Sequence, residues 1–204
     1  MPLAGFPYHS ADIYTHKIVR AGYRVAICEQ LEKPSKEKKI VKRGVVEVIT
    51  PGIAINDNLL DVRSNNFLAA LHYGKRGQIG VAFLDISTGE FLVSEGEEQY
   101  IDKLLQSLSP SEIIFSKSRT KEFEAKFGTK FYTFPIEEWV FMSDYTREKI
   151  LEQFEVQSLK GFGVEDLELA QVAAGAILHY VATTENKNLK HIANISRIEP
   201  DKYV

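Results

Sequence analysis

Phe67-Leu68-Ala69-Ala70-Leu71-His72-Tyr73 is followed by the turn residues Gly74-Lys75-Arg76-Gly77 and the apolar run from Ile79 to Ile86. Ser87-Thr88-Gly89 then turns the chain into Glu90 to Ser94. Short apolar runs of this length, separated by Gly- and Ser-rich turns, read as three strands of a meander. A helix is predicted over 97–108, where Tyr100, Ile101, Leu104, Leu105 and Leu108 form one stripe. Pro110 ends it, and Glu112 to Phe115 reads as a short strand. A small helix over 119–127 stops at Gly128, and Lys130 to Phe134 alternates as a strand that Pro135 ends. Ser143 or Asp144 caps a helix reaching Phe154, with Ile150, Leu151 and Phe154 buried. Gly161-Phe162-Gly163 reads as a loop, and 165–184 as a long helix apolar on most sides. A meander followed by alternating helix and strand implies an α/β fold, a mixed sheet with helices on its faces.

Upstream the signals are thinner. Ser10 opens a predicted helix over 11–21, with Ile13, Tyr14, Ile18 and Ala21 on one face and Gly22 as its stop. Tyr23 to Gln30 and Val41 to Thr50 alternate as two strands of a long-looped antiparallel hairpin. One helix and two strands make a small core, so this part is expected to belong to something larger. Pro51-Gly52 and Asn56-Asp57-Asn58 punctuate the chain. The expected organisation is an incomplete α/β domain over 1–51, a linker over 52–64 and a second domain over 65–190. Residues 191–204 are then the start of a following region, in which Ile192, Ile195 and Ile198 have nothing after them to pack on.

The chain has 204 residues, 44% hydrophobic and 26% charged, which excludes disordered and collagen-like classes. Its most apolar region, Leu167 to Val181, is interrupted by Glu168, Gln171 and His179, too polar for a membrane span. A single cysteine, Cys28, excludes an internal disulfide framework and a cysteine zinc site, and the expected location is the cytoplasm. The net charge of −3 is uneven. Residues 1–50 hold nine Lys/Arg against five Asp/Glu, while the remainder holds 16 against 23. Lys33, Lys36, Lys38, Lys39, Lys42 and Arg43 stand against Glu37 alone, so the hairpin tip is strongly basic. Such a tip neutralises backbone phosphates in a salt-sensitive way but reads no sequence. A solvated lysine loop is the plain alternative.

The sequence matches no catalytic pattern. Gly74-Lys75 would need a glycine at Ala69 and a hydroxyl at Arg76 to be a phosphate-binding loop. The five histidines (9, 16, 72, 179, 191) include no i, i+4 pair, so each reads as structural or surface; His9 lies in a proline–aromatic turn before a helix. Asp85, inside an apolar strand, has two readings. It accepts bonds from the Ser87–Thr88 turn, or it joins Glu90 and Glu112 in a two-metal phosphodiesterase site.

Pro2-Leu3-Ala4-Gly5-Phe6-Pro7-Tyr8-His9, Val25-Ala26-Ile27-Cys28-Glu29-Gln30 and Ile49-Thr50-Pro51-Gly52 resemble the mismatch-recognition domain of the MutS family of DNA mismatch repair proteins. Asn66-Phe67-Leu68-Ala69-Ala70, Leu84 to Phe91 and Leu159 to Glu165 resemble the connector domain that follows it in that family, and Arg197-Ile198-Glu199 to Tyr203-Val204 resembles the run into its lever and core. The resemblance implies a ribonuclease H-like connector without nuclease chemistry. It implies a dimeric parent that uses ATP and magnesium in a domain not found here, so no cofactor is expected for this stretch. The family's Phe-x-Glu wedge motif is absent from this sequence. Arg43 matches a basic position that approaches the DNA backbone in the family; Lys42, Lys39, Lys38 and Lys36 extend it by charge. The implied partners are double-stranded DNA, MutL and the other domains of the parent, with Arg147, Glu148, Lys149 and Glu152 as the expected MutL-facing surface. The expected function is non-catalytic: backbone contact by the hairpin and coupling by the connector. The alternatives are the Asp85 phosphodiesterase and a pure protein-docking module.

Overall fold

The computed structural model describes residues 4–32, 40–53, 65–184 and 189–198. Its centre is a six-stranded mixed sheet built from β3 (Phe67–Tyr73), β4 (Gln78–Asp85), β5 (Glu90–Glu97), β6 (Glu112–Ser116), β7 (Thr133–Ile136) and β8 (Ser196–Arg197), in the order β7-β6-β3-β4-β5-β8. The meander pairs antiparallel, Phe67 opposite Asp85 and Leu84 opposite Phe91. The outer strands β6, β7 and β8 join parallel to their neighbours.

Strand alternation divides the core in two. Leu68, Ala70, Ala82, Leu84 and Val93 face α5 (Glu168–Thr184) and Ile150 of α4 (Ser143–Phe154). Phe67, Ala69, Leu71, Val81, Phe83 and Ile113 face α2 (Glu98–Leu108) and α3 (Thr120–Phe127). Twelve residues of α5 are buried, as a helix apolar all round requires. Helices α4 and α5 cross closely: a Cβ on Gly175 would lie 2.4 Å from the Thr146 Cβ. The predicted α/β class is therefore what the chain adopts.

Several local expectations are corrected. Helix α4 starts at Ser143 after Met142, with no side-chain cap, so neither Ser143 nor Asp144 plays that role. Strand β7 runs through Pro135 instead of ending there, because β7 lies at the sheet edge, where a missing N–H costs no ladder bond. Ile192, Ile195 and Ile198 do find packing: each is at most 2% exposed, and residues 196–197 add the edge strand β8 along β5. The distant β5 edge supplied what no neighbouring sequence could.

The N-terminal part contains α1 (Ala11–Arg20) and the antiparallel pair β1 (Val25–Gln30) and β2 (Arg43–Ile49). The apolar face read on α1 is open: Ile13, Tyr14 and Ile18 are exposed, and Thr15 and Val19 turn inward.

Candidate nucleic-acid interface and the seam beneath it

Strand pairing fixes the hairpin from Val25 opposite Ile49 at its base to Gln30 opposite Arg43 at its far end. The register shifts between Ile27 and Cys28, which leaves Val46 without a partner and sharpens the local twist. At the far end, Lys42 donates its backbone N–H to Glu32 Oε1 at 3.0 Å and accepts from Leu31 N at 2.9 Å. These bonds fix the main chain while the Lys42 and Arg43 side chains stay exposed. Neither side chain forms an ion pair with a carboxylate of the described residues. Lys36, Lys38 and Lys39 lie outside the described residues.

The base of the hairpin is anchored in the second domain, a feature that local sequence did not reveal. Thr50 and Glu112 are both fully buried, and the Thr50 hydroxyl donates to Glu112 Oε2. Gly52 N–H donates to the same oxygen at 3.1 Å. Tyr180 of α5 donates to Glu112 Oε1 at 2.6 Å. Burial and the Glu112 charge together push the Tyr180 phenol far above its ordinary value. Asn66 Nδ2 donates to the Pro51 carbonyl at 3.0 Å. Ile53 is wholly buried in the α5-side core. A Cβ at position 52 would lie 2.8 Å from the Glu112 Cβ, so only glycine fits here. Of the expected linker, Gly52 and Ile53 are thus buried, and residues 54–64 lie outside the described part. Just before β1, the Arg24 guanidinium stacks over the Phe134 ring, 3.5 Å from its centroid, and its Nη1 is buried with no hydrogen-bond partner. The only sequence clue was a carboxylate, Glu112, at the head of an apolar strand; its partners lie roughly sixty residues away on either side.

Asp85 follows the turn reading. Its Oδ1 accepts from Ser87 N at 2.9 Å, Ser87 Oγ at 2.6 Å and Thr88 N at 3.4 Å, and its Oδ2 from Asn66 N at 3.2 Å. Asp85 shares the sheet face of Phe83, whereas Glu112 shares that of Leu68 and Ile114. These carboxylates leave opposite faces of the sheet, and Glu90 binds Asn65. The three therefore do not converge as a two-metal site demands.

On α4, Arg147 donates to Gln171 Oε1 at 3.0 Å and to Glu165 Oε1 at 2.9 Å, tying α4 to α5. The Arg147 hydrogen bond holds the Glu165 carboxyl below its usual range. Lys149 pairs with Glu152 at 2.8 Å, which raises the amine and lowers the carboxyl. Glu148 and Glu152 are exposed, while Arg147 and Lys149 are half-buried. Asp144, Glu148, Glu152 and Glu155 rim an open groove floored by Leu151 and Val156, so this face is more acidic than the paired charges in the sequence suggest.

Residues 1–58 match the family model described as MutS domain I, and residues 66–193 match MutS domain II. The chain is 55% identical over 202 residues to the DNA mismatch repair protein MutS of Phocaeicola vulgatus, and 54% identical to that of Bacteroides fragilis. It is 53% identical to that of Flavobacterium psychrophilum. Each comparison covers 99% of this chain and 23% of the relative, so the chain spans about a quarter of the length of these relatives. The chain belongs to the MutS family of DNA mismatch repair proteins and covers its first two domains. Among the described residues, no helix is long and apolar enough to cross a membrane.

Proposed function

We propose that this stretch grips the duplex backbone and relays position, without making or breaking bonds itself. The hairpin contacts phosphates through Arg43 and Lys42, joined by Lys39, Lys38 and Lys36, and the connector couples that contact to the other domains of a dimeric parent in the cytoplasm. The observation that carries this reading is the exposed Lys42–Arg43 pair at a strand end whose main chain is hydrogen-bonded, next in sequence to Lys33, Lys36, Lys38 and Lys39. Phosphate neutralisation needs cations free of internal carboxylates, and these two are free of every carboxylate among the described residues. The connector also meets MutL, with Arg147, Glu148, Lys149 and Glu152 as the contact face. ATP and magnesium serve the parent elsewhere in its length.

The test is a titration of this chain at low salt against a homoduplex and a G·T duplex. The expected result is weak binding with equal affinity for both and a steep salt dependence, because the sequence holds no Phe-x-Glu motif. Strong mismatch preference would refute the role given to that motif, and salt-insensitive binding would refute the phosphate reading.

A further inference from the structure

We propose that Arg24, Thr50 and Glu112 are positioning residues that clamp the base of the β1–β2 hairpin onto the connector, so that the connector sets the attitude of the Lys42–Arg43 end. The inference rests on the DNA-backbone reading for its purpose, but its geometry stands apart from it. Both strands are held at the same end. Strand β1 is held at its start by the preceding Arg24, whose guanidinium lies 3.5 Å from the Phe134 ring centroid, with the Tyr180 ring a further neighbour at 5.7 Å. Strand β2 is held where three successive residues, Thr50, Pro51 and Gly52, each bond to the second domain. Val25 pairs with Ile49, so the two anchors sit side by side at the first rung of the ladder.

The chemistry suits a fixed joint. Glu112 is wholly buried, and its two oxygens take all three donors, two from the hairpin side and one from α5. A buried carboxylate that loses a donor is costly, so the hairpin cannot lift away without leaving Glu112 unsatisfied. The Arg24 guanidinium contributes a stacking interaction that falls off steeply once the ring separates. From the anchored rung to the Gln30–Arg43 rung the ladder advances five residues, or about 17 Å. A small rotation at the base is therefore magnified at the basic end.

Cys28, the single cysteine, is exposed on β1 and provides a native attachment point for a spin label. A second label at Ser107→Cys, on the exposed side of α2, reports the connector. Pulsed dipolar spectroscopy on the full 204-residue chain is expected to give one narrow distance distribution. Arg24→Met and Thr50→Val are each expected to widen it roughly twofold as the joint frees collective motion. Thr50→Ser, which restores the hydroxyl, is expected to return the narrow distribution, a rescue that lost bulk packing would not give. Arg24 lies outside the connector, so Arg24→Met remains informative even if a core variant fails to fold; the connector's thermal transition is recorded alongside. Unchanged widths in Arg24→Met and Thr50→Val with the connector folded overturn the clamp. Loss of all duplex binding would sink the DNA reading and leave these distances as they are, so the two failures are told apart.

Discussion

Two side chains with the same charge play different parts here. Arg43 is exposed and makes no ion pair among the described residues, whereas Arg24 is pressed against an aromatic ring. Charge reversal at Lys42 and Arg43 is expected to weaken duplex binding equally for every sequence. It should also reduce the salt slope, log affinity against log salt, by about 1 for each phosphate no longer neutralised. Asp85 makes a contrasting case. Its carboxylate accepts four hydrogen bonds from a buried position. Asp85→Ala is expected to cost about 1–3 kcal/mol in denaturant unfolding, the range for stranding buried donors. Magnesium- or manganese-stimulated nicking that Asp85→Asn abolished would contradict the turn role. The Asp85 turn was legible because its Ser87 and Thr88 donors lie within three residues. Glu112 was not, because a carboxylate at the head of an apolar strand does not name partners that are distant in sequence.

Among the elements, strands and helices with strong periodicity could be read almost to the residue. β3 matches its apolar run from Phe67 to Tyr73, and the α2 stripe of Ile101, Leu104 and Leu105 is buried. β7 misled because Pro135 stops a central strand but not an edge one. α1 was legible as a helix, but its periodicity did not tell that Ile13, Tyr14 and Ile18 stay exposed. The α4–α5 pair carries two predictions. Gly175→Leu would drive a side chain into Thr146, and overpacking of this kind costs typically about 1–3 kcal/mol, readable as a lowered melting temperature. His179, bonded to Tyr145 of α4, and His72, stacked on Phe141, are both held below the ordinary histidine value of 6.5. Burial is the main cause, with the positive charges of Lys149 and Arg119 adding to it. The unfolded chain therefore takes up protons first as the solution is acidified. The stability these histidines contribute is complete above pH 6.5 and is lost as pH falls below it. A melting-temperature series from about pH 8 to about pH 5 should show that loss, and His72→Asn with His179→Asn should flatten it.

Across the whole molecule, the two regions were legible as a basic hairpin and a mixed sheet, but not the manner of their joining. Composition places a turn at Pro51-Gly52; only the folded arrangement drives Ile53 into the core beyond it. The reach of Ile192, Ile195 and Ile198 back across the sheet was hidden for the same reason, since nothing near them in sequence supplies the surface they cover. Replacing these three with serine is expected to lower the stability of the sheet domain by several kcal/mol, at roughly 1.5–3 kcal/mol per buried aliphatic side chain, and an unchanged denaturant midpoint would contradict their packing. The late arrival of β8 also constrains biogenesis. Its partner β5 leaves the ribosome roughly a hundred residues earlier, several seconds at ordinary translation speed. During that interval the β5 flank is a naked ladder, open to mispairing with another nascent chain. Polysomes making this protein should therefore favour holdase chaperones until Arg197 has emerged.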